Sequence, residues 1–206
     1  MLNNDILRRV RYAFDINDDD MINTFAAADR EVNRAQISDW LKKEDDSAFV
    51  ACPDIILAVF LNGFINTQRG KKDGVQPAPE KRLTNNLIFR KLRIALNLQD
   101  DDIIQMLATV DCAISKHELS AFFRKPDHRQ YRDCKDQVLR NFLHGMQLKY
   151  RPDAEGAAKP AIVKPASKAT TKPAPKAASI PSPKPASKKE TQTSTSKPAF
   201  SWDKYK

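Results

Sequence analysis

The sequence predicts an all-α protein: two tandem, pseudo-symmetric four-helix repeats followed by a disordered C-terminal tail. First, the chain aligns with itself without a gap when it is shifted by 82 residues. Second, apolar residues recur with helical spacing in both copies, and neither copy shows strand-like alternation of useful length. Third, the composition changes abruptly after Arg151 and Pro152. The predicted parts are repeat 1 (3–66), a linker (67–84), repeat 2 (85–150) and a tail (151–206).

The internal repeat is most visible at polar and small residues. The aligned pairs include Asn3-Asn4 with Asn85-Asn86, Asp18-Asp19-Asp20 with Asp100-Asp101-Asp102, Cys52 with Cys134, and Gly63 with Gly145. A solenoid needs about three repeats or more, so two long copies indicate a tandem or pseudo-symmetric domain.

The first two helices of each repeat follow from apolar spacing and from acidic residues. Ile6, Leu7 and Val10 lie on one face of a predicted first helix. The Asp triplet predicts the start of the second helix, because carboxylates there complement the helix dipole and the free amides. A calcium loop would instead space its acids alternately and include a glycine at the turn.

The third and fourth helices carry start signals. Asn33-x-x-Gln36 and Ser115-x-x-Glu118 are capping-box patterns, which predict the start of the third helix in each repeat. Pro53 is predicted as the first residue of the fourth helix. Gly63 and Gly145 fall inside or near the end of that helix, where close packing or a helix end explains a glycine.

The connecting and terminal segments differ from the repeats in amino-acid composition. Charges, glycines and prolines in residues 67–84 predict an exposed linker. Lys, Pro, Ala, Ser and Thr dominate the tail, which has no aromatic residue from Pro152 to Ala199. Such a segment buries too little apolar surface to offset the entropy of ordering, so we expect disorder and some polyproline II structure.

The net charge of +9 is distributed unevenly. Residues 1–150 hold 23 basic and 22 acidic side chains, whereas residues 151–206 hold 12 and 4. The repeats are therefore nearly neutral. The tail could bind nucleic acid weakly through counterion release, or it could be a basic spacer.

Several classes of protein are disfavoured. The longest apolar run, residues 55–61, is far shorter than the roughly 20 residues of a membrane span. The N-terminus is charged at Asp5 and has no signal-peptide core. Three cysteines, widely spaced, do not suggest a disulfide framework. We expect a cytoplasmic protein with no membrane partner.

The second and third helices resemble a helix-turn-helix element in each repeat. A capped third helix would present its first exposed residues, here Arg34 and Gln36, to base edges. The turn lacks the usual glycine, and Asp39 and Glu118 place acid where phosphates would lie. An ordinary helical hairpin is therefore the alternative.

Cations at equivalent places in the two repeats extend this hypothesis. They could position a phosphate backbone, or they could be a solvated face neutralised by nearby acids. The candidate nucleic-acid-binding residues are Arg8, Arg9, Arg11, Arg34, Gln36, Lys42, Lys43, Arg90, Lys91, Arg93, Lys116, Arg124 and Lys125.

The cysteines and histidines are candidate catalytic or metal-binding groups. Cys52 and Cys134 precede helix starts, where a thiolate would be favoured. However, repeat 1 has no matching histidine, and the spacing of His117, His128 and Cys112 with Cys134 fits no common metal site. We expect buried or capping thiols, no catalytic residues, no metal and no cofactor.

Three aromatic residues reappear at the C-terminus. Phe200, Trp202 and Tyr205 lie on a long tether and suit docking into a groove on a partner.

The leading hypothesis for the whole chain is a non-catalytic binding protein associated with DNA or RNA. The alternative is a protein–protein adaptor that uses this aromatic motif, and the oligomeric state is left open.

Three segments also carry a family resemblance: Asn3–Arg8, Phe123–Pro126 and Cys134–Gly145. They resemble the YehS-like proteins, a family of small bacterial proteins built on a duplicated domain of unknown function. The resemblance covers about residues 1–151 and excludes the tail. It implies a bacterial cytoplasmic protein, and it carries over no catalytic or binding residue.

Overall fold

The computed structural model describes residues 1–152, which fold into eight helices and contain no strand. The helices are α1 (Asn3–Ala13), α2 (Asp18–Ala26), α3 (Arg34–Leu41), α4 (Asp54–Arg69), α5 (Asn85–Ala95), α6 (Asp100–Ala108), α7 (Lys116–Phe122) and α8 (Asp136–Tyr150). The all-α class and the four-plus-four order are confirmed. The predictions for residues 153–206, including the docking residues Phe200, Trp202 and Tyr205, lie outside the described residues.

The two repeats interlock. Helix α1 of repeat 1 packs most extensively on α8 of repeat 2, and α5 of repeat 2 packs in the same way on α4 of repeat 1. Within each repeat, the second helix packs on the fourth, as α2 on α4 and α6 on α8. Buried residues of all eight helices form one hydrophobic cluster. Each repeat therefore completes its core with a helix of the other.

Aromatic side chains fill this shared core. Phe25, Phe60, Phe89 and Phe142 are fully buried. Phe14, just after α1, lies 5.1 Å from the Phe64 ring and 4.8 Å from the Tyr150 ring, so it joins α4 to α8. Burying a phenylalanine side chain stabilises a fold by about 1.5–3 kcal/mol, and the contact of Phe14 with Tyr150 joins repeat 1 to repeat 2.

Glycines permit the closest helix crossings. A Cβ atom on Gly63 would lie 1.8 Å from the carbonyl oxygen of Thr24 on α2. On Gly145 it would lie 2.2 Å from the carbonyl oxygen of Met106 on α6. The close-packing explanation of these two glycines is confirmed.

The paired asparagines fasten the connection between the third and fourth helices. The Asn4 amide donates to the carbonyl oxygens of Trp40 (2.9 Å) and Val50 (2.8 Å) and accepts from the Cys52 N–H (2.9 Å). Asn86 makes the same three bonds in repeat 2, to the carbonyls of Phe122 and Arg132 and from the Cys134 N–H. Because Asn4 and Asn86 are buried, each holds its loop in one geometry.

The predicted helix starts are largely confirmed. Both capping boxes form, at Asn33 with Gln36 and at Ser115 with Glu118. Helix α2 begins at Asp18 and α6 at Asp100, the first residues of the Asp triplets. Pro53 differs from its prediction: its extended backbone (ψ 153°) makes it the N-cap, and α4 begins at Asp54.

The linker is shorter than its predicted range because α4 continues to Arg69. The helix ends where Gly70 adopts a left-handed φ of 82°, which a side chain would disfavour. The Asn66 amide then donates to the Gln76 side chain (3.2 Å), and a cavity of about 60 Å³ lies between α4 and residues 76–79. At the far end, the Leu83 N–H donates to Asp54 (2.9 Å).

Arg151, placed by the sequence at the start of the tail, is anchored to repeat 1. Its guanidinium donates to the Tyr12 carbonyl (2.9 Å), pairs with Asp15 (3.0 Å) and lies 4.5 Å from the centre of the Tyr12 ring. These contacts connect the end of α8 to the end of α1.

Candidate nucleic-acid interface

Four of the candidate arginines hold backbone carbonyls. Arg8 donates to the Lys42 carbonyl (2.5 Å), and its counterpart Arg90 donates to the Phe123 carbonyl (2.8 Å). Arg11 and Arg93 donate to the carbonyls of Ile16 (2.9 Å) and Leu98 (3.2 Å), respectively. These arginines therefore organise turns and helix ends of their own repeats.

Three further candidates form ion pairs with nearby carboxylates. Arg34 pairs with Asp19 at 2.5 Å, and its counterpart Lys116 pairs with Asp101 at 2.7 Å. The hydrogen bond that Lys116 donates to Asp101 raises the pKa of Lys116. Charge pairs at such exposed positions are weakly held and screened by salt, so a phosphate could compete for these cations.

Lys42 pairs with Asp39 at 2.7 Å, one helical turn earlier in the sequence. The hydrogen bond that Lys42 donates to Asp39 raises the pKa of Lys42. The charge of Lys42 is thus already partnered within its own repeat.

Lys91 and Gln36 are committed to the fold. Lys91 is only 9% exposed, and its ammonium contacts Asn62 (2.5 Å) and Glu80 (2.9 Å). The Gln36 side chain accepts from the Asn33 N–H (3.0 Å) in the capping box. Neither residue is included in the proposed nucleic-acid surface, because Lys91 is buried and the Gln36 side chain caps the start of α3.

Five candidate cations have no ion pair within residues 1–152: Arg9, Lys43, Arg90, Arg124 and Lys125. Arg9 is half-buried on α1, and this burial lowers its pKa, with Asp5 acting in the opposite direction. Lys43 and Lys125 are exposed at equivalent loop positions. Arg124 lies beside His128, as described below.

The paired helices α2 and α3 do not have the short turn of a typical helix-turn-helix element. Residues 27–33 connect them, seven residues, whereas that motif uses three or four. The exposed start of α3 contains Arg34, which is paired with Asp19. The helix-turn-helix interpretation stays a hypothesis.

The loops after the third helices differ most in charge. We name residues 42–53 the repeat-1 loop and residues 124–135 the repeat-2 loop. The repeat-1 loop contains two cations and three carboxylates. The repeat-2 loop contains two carboxylates, Asp127 and Asp133, and five cations: Arg124, Lys125, Arg129, Arg132 and Lys135. All of these cations except Arg124, which is half-buried, are exposed.

Because Asn4 and Asn86 pin the two loops in the same way, this difference concerns side chains and not the backbone anchors. The repeat-2 loop therefore carries a net positive charge, whereas the equivalent repeat-1 loop carries a net negative charge.

The repeat-1 loop instead exposes apolar groups. Val50 is 44% exposed and Ile55, at the start of α4, is 36% exposed. The equivalent residues of repeat 2 are Arg132 and Gln137. One loop is thus suited to polyanions and the other to apolar contacts.

The cysteines take structural positions. Cys52 and Cys134 are buried, and Cys112 is half-buried and also unpaired. Burial, with a smaller contribution from Asp54, raises the pKa of Cys52 to about 12. Burial and Asp136 raise the pKa of Cys134 to about 12. At neutral pH both are thiols and poor nucleophiles, as the buried-thiol interpretation predicted.

No group of three or more His, Cys, Asp and Glu side chains within residues 1–152 is arranged to hold a metal ion. No helix in the same range is long and apolar enough to cross a membrane.

Sequence reasoning missed His128, Arg129, Arg132 and Lys135 as members of a basic surface. Their signal was present in the alignment of the two copies, because Asp46 aligns with His128 and Val50 with Arg132. Charge differences between equivalent positions identify this surface better than the cations that the copies share, since the shared cations hold the fold.

Comparison with known proteins identifies a family that matches both repeats. A family model described as a protein of unknown function (DUF1456) matches the chain twice, over residues 3–70 and 85–151. The uncharacterized protein YehS of Escherichia coli (strain K12) is 46% identical over 148 residues, which cover 71% of this chain and 94% of that protein. No solved structure matches the chain. Both matched segments contain an asparagine pair, a buried cysteine and a glycine crossing. Because the family model matches both repeats, the chain belongs to the DUF1456 family, with two copies of its domain.

Proposed function

We propose that this protein is a non-catalytic binding protein that associates with the phosphate backbone of nucleic acid through the repeat-2 loop. One observation carries the proposal: the exposed cations of residues 124–135 outnumber the carboxylates, whereas the equivalent repeat-1 loop is slightly acidic. Lys and Arg side chains that neutralise phosphates release counterions, which favours binding without base recognition.

The remaining candidates would have smaller roles. Arg34 and Lys116 could join the interface only by leaving Asp19 and Asp101, which costs part of the interaction they gain. The basic tail, with 12 cations and 4 carboxylates in residues 151–206, would add salt-sensitive affinity. A cytoplasmic location belongs to this proposal and agrees with three unpaired cysteines, which persist in reducing compartments.

The test measures binding of fluorescent single-stranded RNA and double-stranded DNA to the full chain at low salt. The variant Lys125→Glu, Arg129→Glu, Arg132→Glu reverses three exposed charges of the repeat-2 loop. The matched control Lys72→Glu, Lys81→Glu, Arg82→Glu makes the same net change at exposed linker residues. We expect the loop variant to lose roughly tenfold or more in affinity and to reduce the salt slope by about 2–3, with a smaller loss in the control.

Two results would contradict this proposal. One is no binding of either nucleic acid by the full chain at low salt. The other is an equal loss of affinity in the loop variant and the linker control, which would reduce the effect to net charge alone.

A protein–protein adaptor is the second candidate, and the exposed Val50 and Ile55 favour it. Crosslinking and pulldown would compare the wild-type chain with Val50→Asp, Ile55→Asp and with a chain lacking residues 198–206. An unchanged set of partners in the first variant argues against the repeat-1 loop. An unchanged set in the second argues against the aromatic terminus with Phe200, Trp202 and Tyr205.

A further inference from the structure

The two repeats keep an equivalent pair of cations but not the acids around it. Arg8 and Lys42 of repeat 1 align with Arg90 and Arg124 of repeat 2. Three acidic residues surround the repeat-1 pair, and none of the three is retained. Asp5 aligns with Leu87, Asp39 with Ala121 and Asp46 with His128.

In repeat 1 the carboxylates neutralise the cations. Arg8 pairs with Asp5, and Lys42 pairs with Asp39 at 2.7 Å. Asp46 lies close enough to Lys42 to favour the charged ammonium. Both cations of the repeat-1 pair therefore have anionic partners within their own repeat.

In repeat 2 the same cations have no carboxylate partner within the described residues. The Arg90 guanidinium binds the Phe123 carbonyl (2.8 Å) and approaches that of Arg124 (3.5 Å), which leaves further N–H groups. The Nε of Arg124 is buried and has no hydrogen-bond partner. Apart from its contact with His128, the guanidinium of Arg124 thus makes no side-chain hydrogen bond within residues 1–152.

His128 adds a third donor. Its Nδ1 accepts from the Gln130 N–H (3.0 Å), just as the Asp46 carboxylate accepts from the Ala48 N–H (2.8 Å) in repeat 1. Because Nδ1 accepts, the proton of the neutral ring lies on Nε2. This Nε2 lies 3.2 Å from Nη1 of Arg124, so two N–H donors face each other where an acceptor is expected.

We propose that Arg124 and His128, with Arg90 adjoining, form a binding site for a phosphoryl group. Its oxygens accept from Nη1 and Nη2 of Arg124 and from Nε2 of His128, in place of the carboxylates that repeat 1 supplies internally. Arginine suits this role because its planar fork matches two phosphate oxygens. The assignment of a nucleic-acid phosphate as the source rests on the proposed function, and a free phosphate is the other source of the same chemistry.

The test follows backbone amide NMR signals of the full chain during a titration with inorganic phosphate. Arg124→Gln removes the central donor, and His128→Asp places a carboxylate where repeat 1 has Asp46. Lys42→Gln is the matched control, because Lys42 is the repeat-1 equivalent of Arg124. Native dispersion of the signals verifies folding, and the exposed position of His128 protects the test if Arg124→Gln does not fold.

We expect saturable shifts at residues 124–130 of the wild-type chain. The affinity for phosphate should fall by roughly tenfold or more in Arg124→Gln and His128→Asp and stay unchanged in Lys42→Gln. No saturable shift in the wild-type chain, or equal phosphate binding by His128→Asp, overturns the inference.

A second titration with a short single-stranded oligonucleotide separates the two proposals. Oligonucleotide binding without a phosphate site leaves the proposed function standing and overturns the phosphoryl site. A phosphate site that Arg124→Gln removes, with no oligonucleotide binding by the wild-type chain, supports the site with free phosphate as its source and overturns the proposed function.

Discussion

Residues of the same type at equivalent positions support the fold through specific polar contacts. Each buried asparagine, Asn4 or Asn86, donates to one carbonyl of the third helix of its repeat and one of the loop that follows it, and accepts from an N–H of that loop. A buried backbone group without a partner costs about 1–3 kcal/mol. The hydrogen bond from the cysteine N–H to the asparagine holds the buried cysteine of each repeat in place.

The buried cysteines should react slowly. The pKa of about 12 at Cys52 and Cys134 leaves almost no thiolate at pH 8, and burial restricts access. We expect iodoacetamide at pH 8 to alkylate Cys112 first in the folded chain and all three cysteines in denaturant. Mass spectrometry of the modified peptides measures this order. Rapid alkylation of Cys52 in the folded chain would be contrary to the structure.

The same cysteines make stability depend on alkaline pH. Their pKa in the folded protein lies above the ordinary value of 9.0, so the unfolded chain loses its thiol protons first as pH rises. Their contribution to stability is thus full below about pH 9 and is lost progressively towards pH 12. Substitution of both by alanine should flatten this part of the stability profile.

At the scale of elements, helix ends and helix crossings depend on different signals. Helix starts depend on local sequence, because the side chain of the cap residue and that of the third helical residue each accept from the other's backbone N–H. Ser115 and Glu118 form such a pair. Crossings are not local, because they depend on which backbone passes close to a given residue. The crossing of α4 over α2 at Gly63 is of this second kind.

A side chain at either crossing glycine should destabilise the protein. Gly63→Ala and Gly145→Ala place a Cβ 1.8 Å and 2.2 Å from a backbone carbonyl oxygen, so a helix must move. We expect each to lower the free energy of unfolding by roughly 2–3 kcal/mol or more, as measured by urea denaturation. The control Gln68→Ala, exposed on α4, should change it by less than about 0.5 kcal/mol. Equal stability of Gly63→Ala and wild type would refute this account of the crossing.

At the scale of the whole molecule, the repeats are not independent domains. The first helix of each repeat finds its main partner in the last helix of the other, as α1 does in α8. Because each repeat packs a helix against the other repeat, the two repeats share one apolar core. It also places the ends of α1 and α8 together, where Arg151 binds the Tyr12 carbonyl.

Separated repeats should therefore fail to fold as monomers. Residues 1–69 alone lack α8 for α1 to pack on, and residues 85–152 alone lack α4 for α5. We expect each fragment to be largely unfolded or self-associated, and an equimolar mixture to recover a helical 1:1 complex. Circular dichroism and native mass spectrometry measure these states. A folded monomer of either fragment would contradict the interlocked arrangement.

Much of the fold was predictable from the sequence because it rests on local rules. Apolar spacing predicted α1 and α5, and the capping boxes predicted α3 and α7. The end of α4 was placed three residues early, because charged residues such as Arg69 suggested the linker while the helix continued to the left-handed Gly70. Pro53 was placed inside α4 because its fixed φ suits both a first helical residue and the N-cap that it forms.

The candidate site was predictable only in part. The sequence shows which side chains are cationic, but not which of them bind a carbonyl, as Arg8 does, or lie buried, as Lys91 does. It also could not show that the donors of Arg124 and His128 converge, because that contact depends on how the loop folds back.

The sequence by itself determined the helices, the two copies and the near neutrality of residues 1–150, because these depend on residue type and spacing alone. Only the tertiary structure decided how the copies share a core and which cations are left without a carboxylate. Packing partners and ion pairs are formed between residues distant in sequence, and the same residue types in two aligned repeats therefore end in different electrostatic surroundings.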